Sequence, residues 1–488
     1  MSKLYIFGIG GTGSRVIKSL VMLMAAGVRV DADEIVPVII DPDHAAADLT
    51  RTAKLIQDYK KVRNGIDFNS ANRNTFFYTD INTTILPSLT LPIRDTQNLD
   101  FKEYIGLPLM KNENGEANAN YALASLLFSE KNLHSKMDVG FKGNPNIGSV
   151  ALNQFANGKE FINLAASFEQ DDRIFIISSI FGGTGASGFP LLLKTLRTLS
   201  PDIPGNGNVK NAPIGAISVL PYFDVLPDHH PNSAKRSQID SSTFISKTKA
   251  ALSYYERNIS EANTLYYIAD RLSKQYANSE GGSTQKNEAH FIELAAALAA
   301  IDFMATPENE LKVNNGQPQQ TIYKEFGIEN GNYQLIFNDL CKQTNDIIQK
   351  PLIRFMLFFK YLQEELPRSK KQSWMIDQDL DDNFFNSSFF QMELMSVFSA
   401  FYEWLSEMRN NNRSFAPFYL EEEKSDVFDM IRGLLPVKLL SLKSNYALFD
   451  DVLNTQQQQL KKESSKEHRF IELFYRATDQ LLKLKFRL

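Results

Sequence analysis

Short apolar runs alternate with helix-length segments from residue 3 to residue 268, and this alternation limits the possible folds more than any other feature. Strands that are apolar along their whole length are buried on both faces, as in parallel sheets. The segments between them are long enough for the helical crossovers that parallel strands need. The pattern therefore predicts an α/β domain with a buried parallel sheet. The candidate strands are residues 3–8, 35–40, 75–78, 173–178, 214–220 and 264–268, and the candidate helices are residues 14–24, 119–130 and 236–258.

The second half of the chain has a different pattern. Residues 287–304 are rich in Ala and Leu and apolar almost all round, which is typical of a buried helix. From about residue 322 the apolar spacing is mostly helical, over 335–364, 386–409, 425–443 and 456–486. We expect a nucleotide-binding α/β domain over 1–285, a central helix and its following loop over 286–312, and an α-helical C-terminal domain over 322–488.

Composition excludes several classes of protein. The 488 residues carry a net charge of −5, which argues against nucleic acid as the main partner. The single cysteine, Cys341, excludes disulfides within the chain and a cysteine-based zinc site, and we expect it in a helix core. The apolar stretches are far shorter than the ~20 residues of a membrane-spanning helix. Met1 leads almost directly into the first predicted strand, without a secretory signal, so we expect a cytoplasmic protein.

The first glycine-rich loop, Gly8-Ile-Gly-Gly-Thr-Gly13, lies directly between a predicted strand and a predicted helix. Glycines allow close approach of a ligand to the backbone, and free N–H groups at a helix start attract phosphate. Its spacing also fits the G-x-G-x-x-G dinucleotide pattern, with Asp41 or Asp43 after the second strand. A tight turn without a ligand is the alternative interpretation.

The second glycine-rich loop, Gly182-Gly-Thr-Gly-Ala-Ser-Gly188, again separates an apolar strand from a helix. Its backbone N–H groups and the hydroxyls of Thr184 and Ser187 form a second potential anion site. A dinucleotide-binding protein has no need of such a loop after its fourth strand. Two phosphate loops in one sheet instead suggest a triphosphate held from both sides.

These residues resemble the tubulin/FtsZ superfamily. The second loop is similar to the GGTG signature of that family, and the order of the surrounding elements agrees over residues 3–312. The resemblance implies a tubulin/FtsZ-like, Rossmann-type sheet domain followed here by a mainly helical C-terminal domain. It also implies a GTP/GDP and Mg²⁺ site formed by Gly8, Gly10, Gly11, Thr12, Gly13, Asp41, Gly182, Gly183, Thr184, Gly185, Ala186, Ser187, Phe223 beside the ribose and Asn287 at the guanine edge.

The same resemblance implies head-to-tail self-association, with GTP hydrolysis completed by an acidic loop of the next subunit. The matching residue is Glu310, and Asp302 is the second candidate. An alternative is a nucleotide-binding scaffold or regulator with little hydrolysis, for example in a bacterial defence system, which binds other proteins through the C-terminal helices. The helix start could equally make Asn287 a structural cap.

Another resemblance, to ThiF-type adenylating enzymes, rests on the first loop with Asp41, Asp43 and Arg51. It lacks a counterpart of the second loop, so we rank it lower. His229 and His230 suggest a metal site only weakly, and a polar loop explains them better, so we predict no protein-held metal cluster. His290 and Glu293 share a helix face. We expect them to face the nucleotide cleft or a partner, or His290 to be a core histidine.

Overall fold

The computed structural model describes most of the chain, in twelve ranges to which the helices, strands and contacts belong. They are residues 2–68, 73–112, 114–141, 143–154, 158–226, 241–270, 274–276, 282–283, 286–326, 334–420, 426–437 and 444–488. His229 and His230 lie outside them.

A seven-stranded, fully parallel sheet forms the centre of the molecule, in the order β11-β7-β5-β4-β1-β2-β3. Strands β1, β4 and β5 are buried almost throughout, which explains their uniformly apolar sequences. The sheet strands are β1 (Lys3–Ile9), β2 (Glu34–Ile40), β3 (Asp80–Ile81), β4 (Arg173–Ser179), β5 (Ile214–Val219), β7 (Thr264–Ile268) and β11 (Ile322–Phe326). Three two-stranded sheets hold β6 (Phe223–Val225) with β8 (Lys274–Tyr276), β9 (Val313–Asn314) with β10 (Gln317–Pro318), and β12 (Gln334–Leu335) with β13 (Ser414–Phe415).

Helices cover both faces of the sheet. The chain leaves β1 towards β2 and leaves β4 towards β5, in opposite directions, so right-handed crossovers place α1 and α8 on opposite faces. Helices α2 and α11 pack beside α1, whereas α6 and α10 pack beside α8. The helices are α1 (Gly10–Ala25), α2 (Ala47–Asn64), α3 (Phe101–Tyr104), α4 (Ala119–Leu127), α5 (Glu130–Leu133), α6 (Pro145–Leu152), α7 (Lys159–Ala166), α8 (Gly183–Arg197), α9 (Asn206–Asn211), α10 (Phe244–Asn258) and α11 (Phe291–Ala305).

The C-terminal helices pack on the α1–α2 side of the sheet domain. Phe76, from the segment before β3, contacts Phe355 and Phe358 of the C-terminal region with ring centroids 5.4 and 6.0 Å apart. The hydrophobic core is therefore continuous between the two regions. These helices are α12 (Lys342–Glu364), α13 (Ser373–Ile376), α14 (Asp382–Phe385), a π-helical turn (Phe389–Leu394) that continues into α15 (Met395–Arg409), α16 (Asn445–Gln456) and α17 (Lys466–Phe486).

The predicted fold class, a Rossmann-like parallel sheet followed by a helical region, is confirmed. Three predicted elements are wrong. Residues 75–78 form a turn rather than a strand, and their apolar character comes from the burial of Phe76 and Phe77 in the core. Strand β11 lies in the segment predicted to be helical and forms the exposed sheet edge, so its residues lack the apolar run of a central strand. The described part of 425–443 contains no helix.

Two smaller differences concern a helix start and the lone cysteine. Helix α11 begins at Phe291, four residues later than predicted, because His290 supplies its N-cap. Cys341 is exposed just before α12 and is not a core residue. In the described ranges, no helix combines the length and the apolar character needed to cross a membrane.

Candidate functional site

A cleft opens at the carboxyl ends of β1 and β4. These two strands are neighbours, and the chain leaves them in opposite directions along the sheet. Ligands of open parallel sheets bind at such a reversal of strand order, because the loops after the two strands diverge there and leave a crevice. Both glycine-rich loops follow these two strands, so the sheet order alone brings them together.

The first loop ends β1 and starts α1 without an intervening turn. The N-cap residue, Ile9, has no side chain that can accept a hydrogen bond from the first turn. The first N–H groups of α1 therefore have no side-chain cap, and Gly10, Gly11 and Thr12 line the cleft. Gly10 has a φ of +72°, a conformation that side-chain-bearing residues rarely adopt. This requirement explains a glycine at the sharp turn from strand to helix.

The second loop repeats this arrangement after β4. The N-cap of α8 is Gly182, which also leaves the first turn without a side-chain cap. Gly182, Gly183, Thr184 and Gly185 all line the cleft. A Cβ placed on Gly10 would lie 3.6 Å from the Cβ of Thr184. Two uncapped helix N-termini, with their partial positive charges, therefore meet in one cleft.

The rest of the cleft wall is partly apolar. It includes Val139, Gly140, Phe141 and Gly143 of the segment before α6, and the aromatic residues described next. Phe223, predicted to lie beside a ribose, lines the cleft, and its ring centroid is 5.4 Å from that of Phe181. Phe244 also lines the cleft, 5.1 Å from Phe181 between ring centroids. This wall offers flat apolar surface to a ligand.

Carboxylates lie opposite the helix starts. Asp41 and Asp43, directly after β2, are buried and line the cleft. The Asp43 N–H donates to Asp41 Oδ1 at 3.0 Å, and the Asp43 carboxylate accepts from the Ala45 N–H at 3.1 Å. Burial raises the pKa of Asp41 to about 7. Asp41 is therefore close to half-protonated at neutral pH in the absence of a cation.

A buried charged cluster, which the sequence analysis missed, forms the floor of the cleft. Arg15 of α1 pairs with Asp48 of α2 and with Glu293 of α11, each at 2.5 Å. The Tyr222 hydroxyl donates to Glu293 Oε1 at 2.6 Å and accepts from Arg15 Nη2 at 2.9 Å. Burial raises the pKa of Tyr222, and the Glu293 charge adds to this although the Arg15 charge opposes it, so the hydroxyl keeps its proton. The sequence offers one signal for this cluster, namely the isolated charged residues in the otherwise apolar helix α1.

Asn287, expected at the guanine edge, lines the cleft, and its side-chain amide donates to Asp48 Oδ2 at 3.2 Å. It is not a helix cap, because His290 and Glu293 form the capping box of α11. His290 is fully buried and its ring accepts from the Ile292 N–H at 3.1 Å. The core interpretation of His290 is therefore correct, whereas Glu293 reaches the cluster under the cleft.

Four predicted ligand residues do not line the cleft and have packing roles instead. A Cβ on Gly13 would lie 2.4 Å from the carbonyl carbon of Gly8, so these two glycines allow α1 to cross β1 closely. Ser187 donates to the Gly183 carbonyl oxygen at 2.7 Å, within its own helix. The Ala186 carbonyl oxygen accepts from the Tyr255 hydroxyl at 3.3 Å. Residues 186 and 187 lie just beyond the cleft-lining residues 182–185 and line a neighbouring pocket instead, together with Tyr255.

The two predicted acids, Glu310 and Asp302, lie away from the cleft, towards the amino ends of the parallel strands. Arg173, the first residue of β4, donates to the carbonyl oxygens of Phe303 and Thr306, at 3.0 and 2.9 Å, where α11 ends. Glu310 follows in an exposed 3₁₀ turn, Glu308–Glu310. Asp302 is also exposed but accepts from the Tyr266 hydroxyl at 2.6 Å and pairs with Lys324. Neither acid belongs to the cleft of its own chain.

The N–H groups and carboxylates of the cleft are the kinds of group that can bind a nucleotide together with Mg²⁺. Two uncapped helix starts supply N–H donors for phosphate oxygens, and the carboxylates of Asp41 and Asp43 are oxygen ligands of the kind Mg²⁺ prefers. Among the described residues, no group of three or more His, Cys, Asp or Glu side chains is placed to hold a metal. Mg²⁺ normally takes only one or two carboxylates and completes its shell with phosphates and water, so this set is sufficient.

No protein-family model matches the chain, and no curated protein sequence matches it. Among solved structures, the chain is similar to CetZ from Methanosaeta thermophila strain DSM 6194, with 16% identity and a TM-score of 0.26 over 62% of this chain and 52% of that one. It is also similar to CetZ2 from Haloferax volcanii, solved as a GTPgS-bound protofilament, with 12% identity and a TM-score of 0.27 over 62% of this chain and 59% of that one. The chain thus spans little more than half of the length of each of these two structures.

Proposed function

We propose that this protein binds a guanine nucleotide with Mg²⁺ in the cleft and assembles head to tail, with hydrolysis of GTP at the contact between subunits. The observation that carries the proposal is the meeting of two uncapped, glycine-rich helix N-termini at the carboxyl ends of adjacent parallel strands. One such terminus is common in proteins. Two that face one cleft provide donors for a chain of phosphates rather than for a single anion.

The cleft residues have distinct parts in this binding. The N–H groups of residues 10–12 and 183–185 donate to phosphate oxygens, and the glycines keep side chains out of the approach. Asp41 and Asp43 orient the cation, which when bound offsets phosphate charge. Phe223 packs against the sugar. Asn287 presents an amide with both donor and acceptor to the base, which suits the guanine edge.

The placement of the two proposed functional regions supports head-to-tail assembly. The cleft lies at the carboxyl ends of the parallel strands, and Glu310 lies near their amino ends. A second copy stacked in the same orientation therefore presents Glu310 to the cleft of the first. Such a heterologous contact repeats without closing, so it forms filaments. At the contact, the Glu310 carboxylate accepts a hydrogen bond from water and orients it towards the terminal phosphate.

Calorimetry with GTP, GDP and ATP, each with Mg²⁺, tests nucleotide binding and base selectivity. Light scattering and electron microscopy with GTP against GDP test assembly. We expect tighter binding of GTP than of ATP, and filaments with GTP. Binding of ATP at least as tightly as GTP would favour the adenylating-enzyme resemblance instead.

Glu310→Ala tests the proposed hydrolytic carboxylate, with Glu308→Ala from the same exposed turn as the matched control. We expect Glu310→Ala to bind GTP and assemble but to release phosphate at least tenfold more slowly, since a positioned general base typically contributes 10²–10⁴-fold. Glu308→Ala should retain the wild-type rate. Full GTPase activity of Glu310→Ala would remove this residue from the proposal.

A second candidate function is a nucleotide-binding scaffold with little hydrolysis, which contacts other proteins through the C-terminal helices. The contacts of Asp302 favour this candidate, because its carboxylate is already bound by Tyr266 and Lys324 and is not available to act together with Glu310. Nucleotide binding by the wild-type protein without measurable phosphate release would select this candidate.

A further inference from the structure

The segment 286–290, which carries Asn287 into the cleft, is held by the C-terminal helical region. Helix α15 lies against α1 and α2, and the Trp404 Nε1–H donates to Ser19 Oγ of α1 at 3.1 Å. This contact fixes α15 next to the segment 286–290. Two residues at the end of α15, Glu407 and Asn411, then reach the backbone of that segment.

Glu407 makes the central contacts. It is buried, and its Oε2 accepts a hydrogen bond from the Ala289 N–H at 3.0 Å. Its Oε1 accepts from Arg51 of α2, and the Lys18 ammonium of α1 lies 3.6 Å from Oε2. One carboxylate therefore joins α1, α2 and the segment 286–290. A buried carboxylate with fixed donors on both oxygens is rigid, since each rotation would leave a buried charge without its partner.

Two further contacts hold the same segment. Arg51, itself oriented by Glu407, donates from Nη1 to the carbonyl oxygen of Asn287 at 3.3 Å. Asn411 donates from Nδ2 to the Ala289 carbonyl oxygen at 2.7 Å. Both backbone groups of Ala289 are thus held by residues of the C-terminal region, two residues from Asn287.

We propose that Glu407 is a positioning residue of the cleft, which fixes the segment 286–290 so that Asn287 faces the base of the bound nucleotide. This inference rests on the proposed function. It gives the C-terminal region a part in base selectivity without any contact with the nucleotide. Phosphate binding by residues 10–12 and 183–185 does not depend on it, because those residues follow directly from strands β1 and β4.

The test uses three variants of the full chain. Glu407→Gln keeps the shape of the side chain, but its amide has one acceptor oxygen, whereas the two Glu407 oxygens accept from the Ala289 N–H and from Arg51. Asn411→Ala removes the contact with the Ala289 carbonyl without a change of charge, and carries the test if Glu407→Gln does not fold. Glu403→Gln is the control for the loss of an exposed ion pair at the same place. Glu403 is half-exposed and pairs with Arg51 and with the Lys286 side chain at the start of the segment, whereas Glu407 accepts from the backbone of the segment.

Hydrogen exchange of the 286–290 amides, measured without nucleotide, reports how the segment is held. The ratio of GTP to ATP affinity, with Mg²⁺, reports whether Asn287 is positioned. We expect faster exchange and an affinity ratio about tenfold lower in Glu407→Gln and Asn411→Ala, the effect of one weakened buried hydrogen bond. Glu403→Gln should match the wild type in both measurements. ATP affinity should stay within about threefold in all variants, because phosphate binding is unchanged, whereas GTP and GDP affinities should fall together if only the guanine contact changes.

Each other outcome has a defined meaning. Unchanged exchange in both Glu407→Gln and Asn411→Ala overturns the inference, as does faster exchange with an unchanged affinity ratio. An equal effect of Glu403→Gln also overturns it, because general loss of ion pairs would then explain the result. A wild-type protein that binds neither nucleotide overturns the proposed function itself, and the inference with it.

Discussion

Gly11→Ala separates ligand binding from folding more cleanly than any other change in the two loops. Gly11 lies in the first turn of α1, has no positive φ and lines the cleft. A Cβ there would lie 3.4 Å from Arg15 Nη1 and 3.5 Å from Asp48 Oδ2, which is ordinary contact. Alanine in a helix is favoured over glycine by roughly 0.5–1 kcal/mol, so we expect equal or slightly higher stability.

The new methyl group stands where a phosphate must approach the N–H donors of α1. Loss or lengthening of one hydrogen bond to a charged group costs about 1.5–3 kcal/mol, so the dissociation constant of GTP should rise roughly 10- to 100-fold. Isothermal titration calorimetry measures this change, and thermal unfolding measures stability. Gly207→Ala is the matched control, because Gly207 lies in α9 with no atom within 4 Å of an added Cβ. Wild-type GTP affinity in a folded Gly11→Ala protein would refute the proposal that the first turn of α1 binds phosphate.

Two further predictions concern the same cleft. Gly185→Ala should lower the free energy of unfolding by about 1–3 kcal/mol, because the new Cβ would lie 2.5 Å from the carbonyl oxygen of Ser179. Denaturant unfolding measures this loss, and a Gly185→Ala protein as stable as the wild type would contradict this packing. The second prediction concerns the raised pKa of Asp41, without nucleotide and in EDTA. Between about pH 4 and about pH 7 the folded protein keeps a proton on Asp41 that the unfolded chain releases. The contribution of Asp41 therefore makes the free energy of unfolding fall as the pH rises through this range. The Asp43 N–H and the Arg15 charge oppose this shift of the Asp41 pKa, whereas the Asp43 and Asp48 charges add to it. Asp41→Asn should remove the part of the slope that Asp41 causes, and an unchanged slope would count against this assignment.

The sequence predicts the local parts of the site well. Each glycine loop, with its strand before and helix after, is one contiguous segment, and the sheet order then brings both loops to one cleft. Prediction fails where residues distant in sequence meet. Arg15 and Glu293 are 278 positions apart, and only the packing of α11 beside α1 makes them partners. Within the second loop, Ala186 and Ser187 continue the glycine motif, but the structure places them in a neighbouring pocket outside the cleft.

The charge of the cleft leads to the last prediction, that nucleotide binding requires Mg²⁺. Arg15 is the one cationic side chain among the described residues that line the cleft, and Asp48 and Glu293 already surround it. Asp41 and Asp43 add negative charge beside the helix starts, whose partial charges sum to only about +1. A triphosphate therefore meets a site with excess negative charge unless a cation enters with it. We expect GTP affinity in EDTA to fall at least tenfold, and Asp41→Asn to lose less affinity in EDTA than the wild type, since it lacks one repelling carboxylate. Equal GTP affinity in EDTA and Mg²⁺ would show that these carboxylates do not face the phosphates.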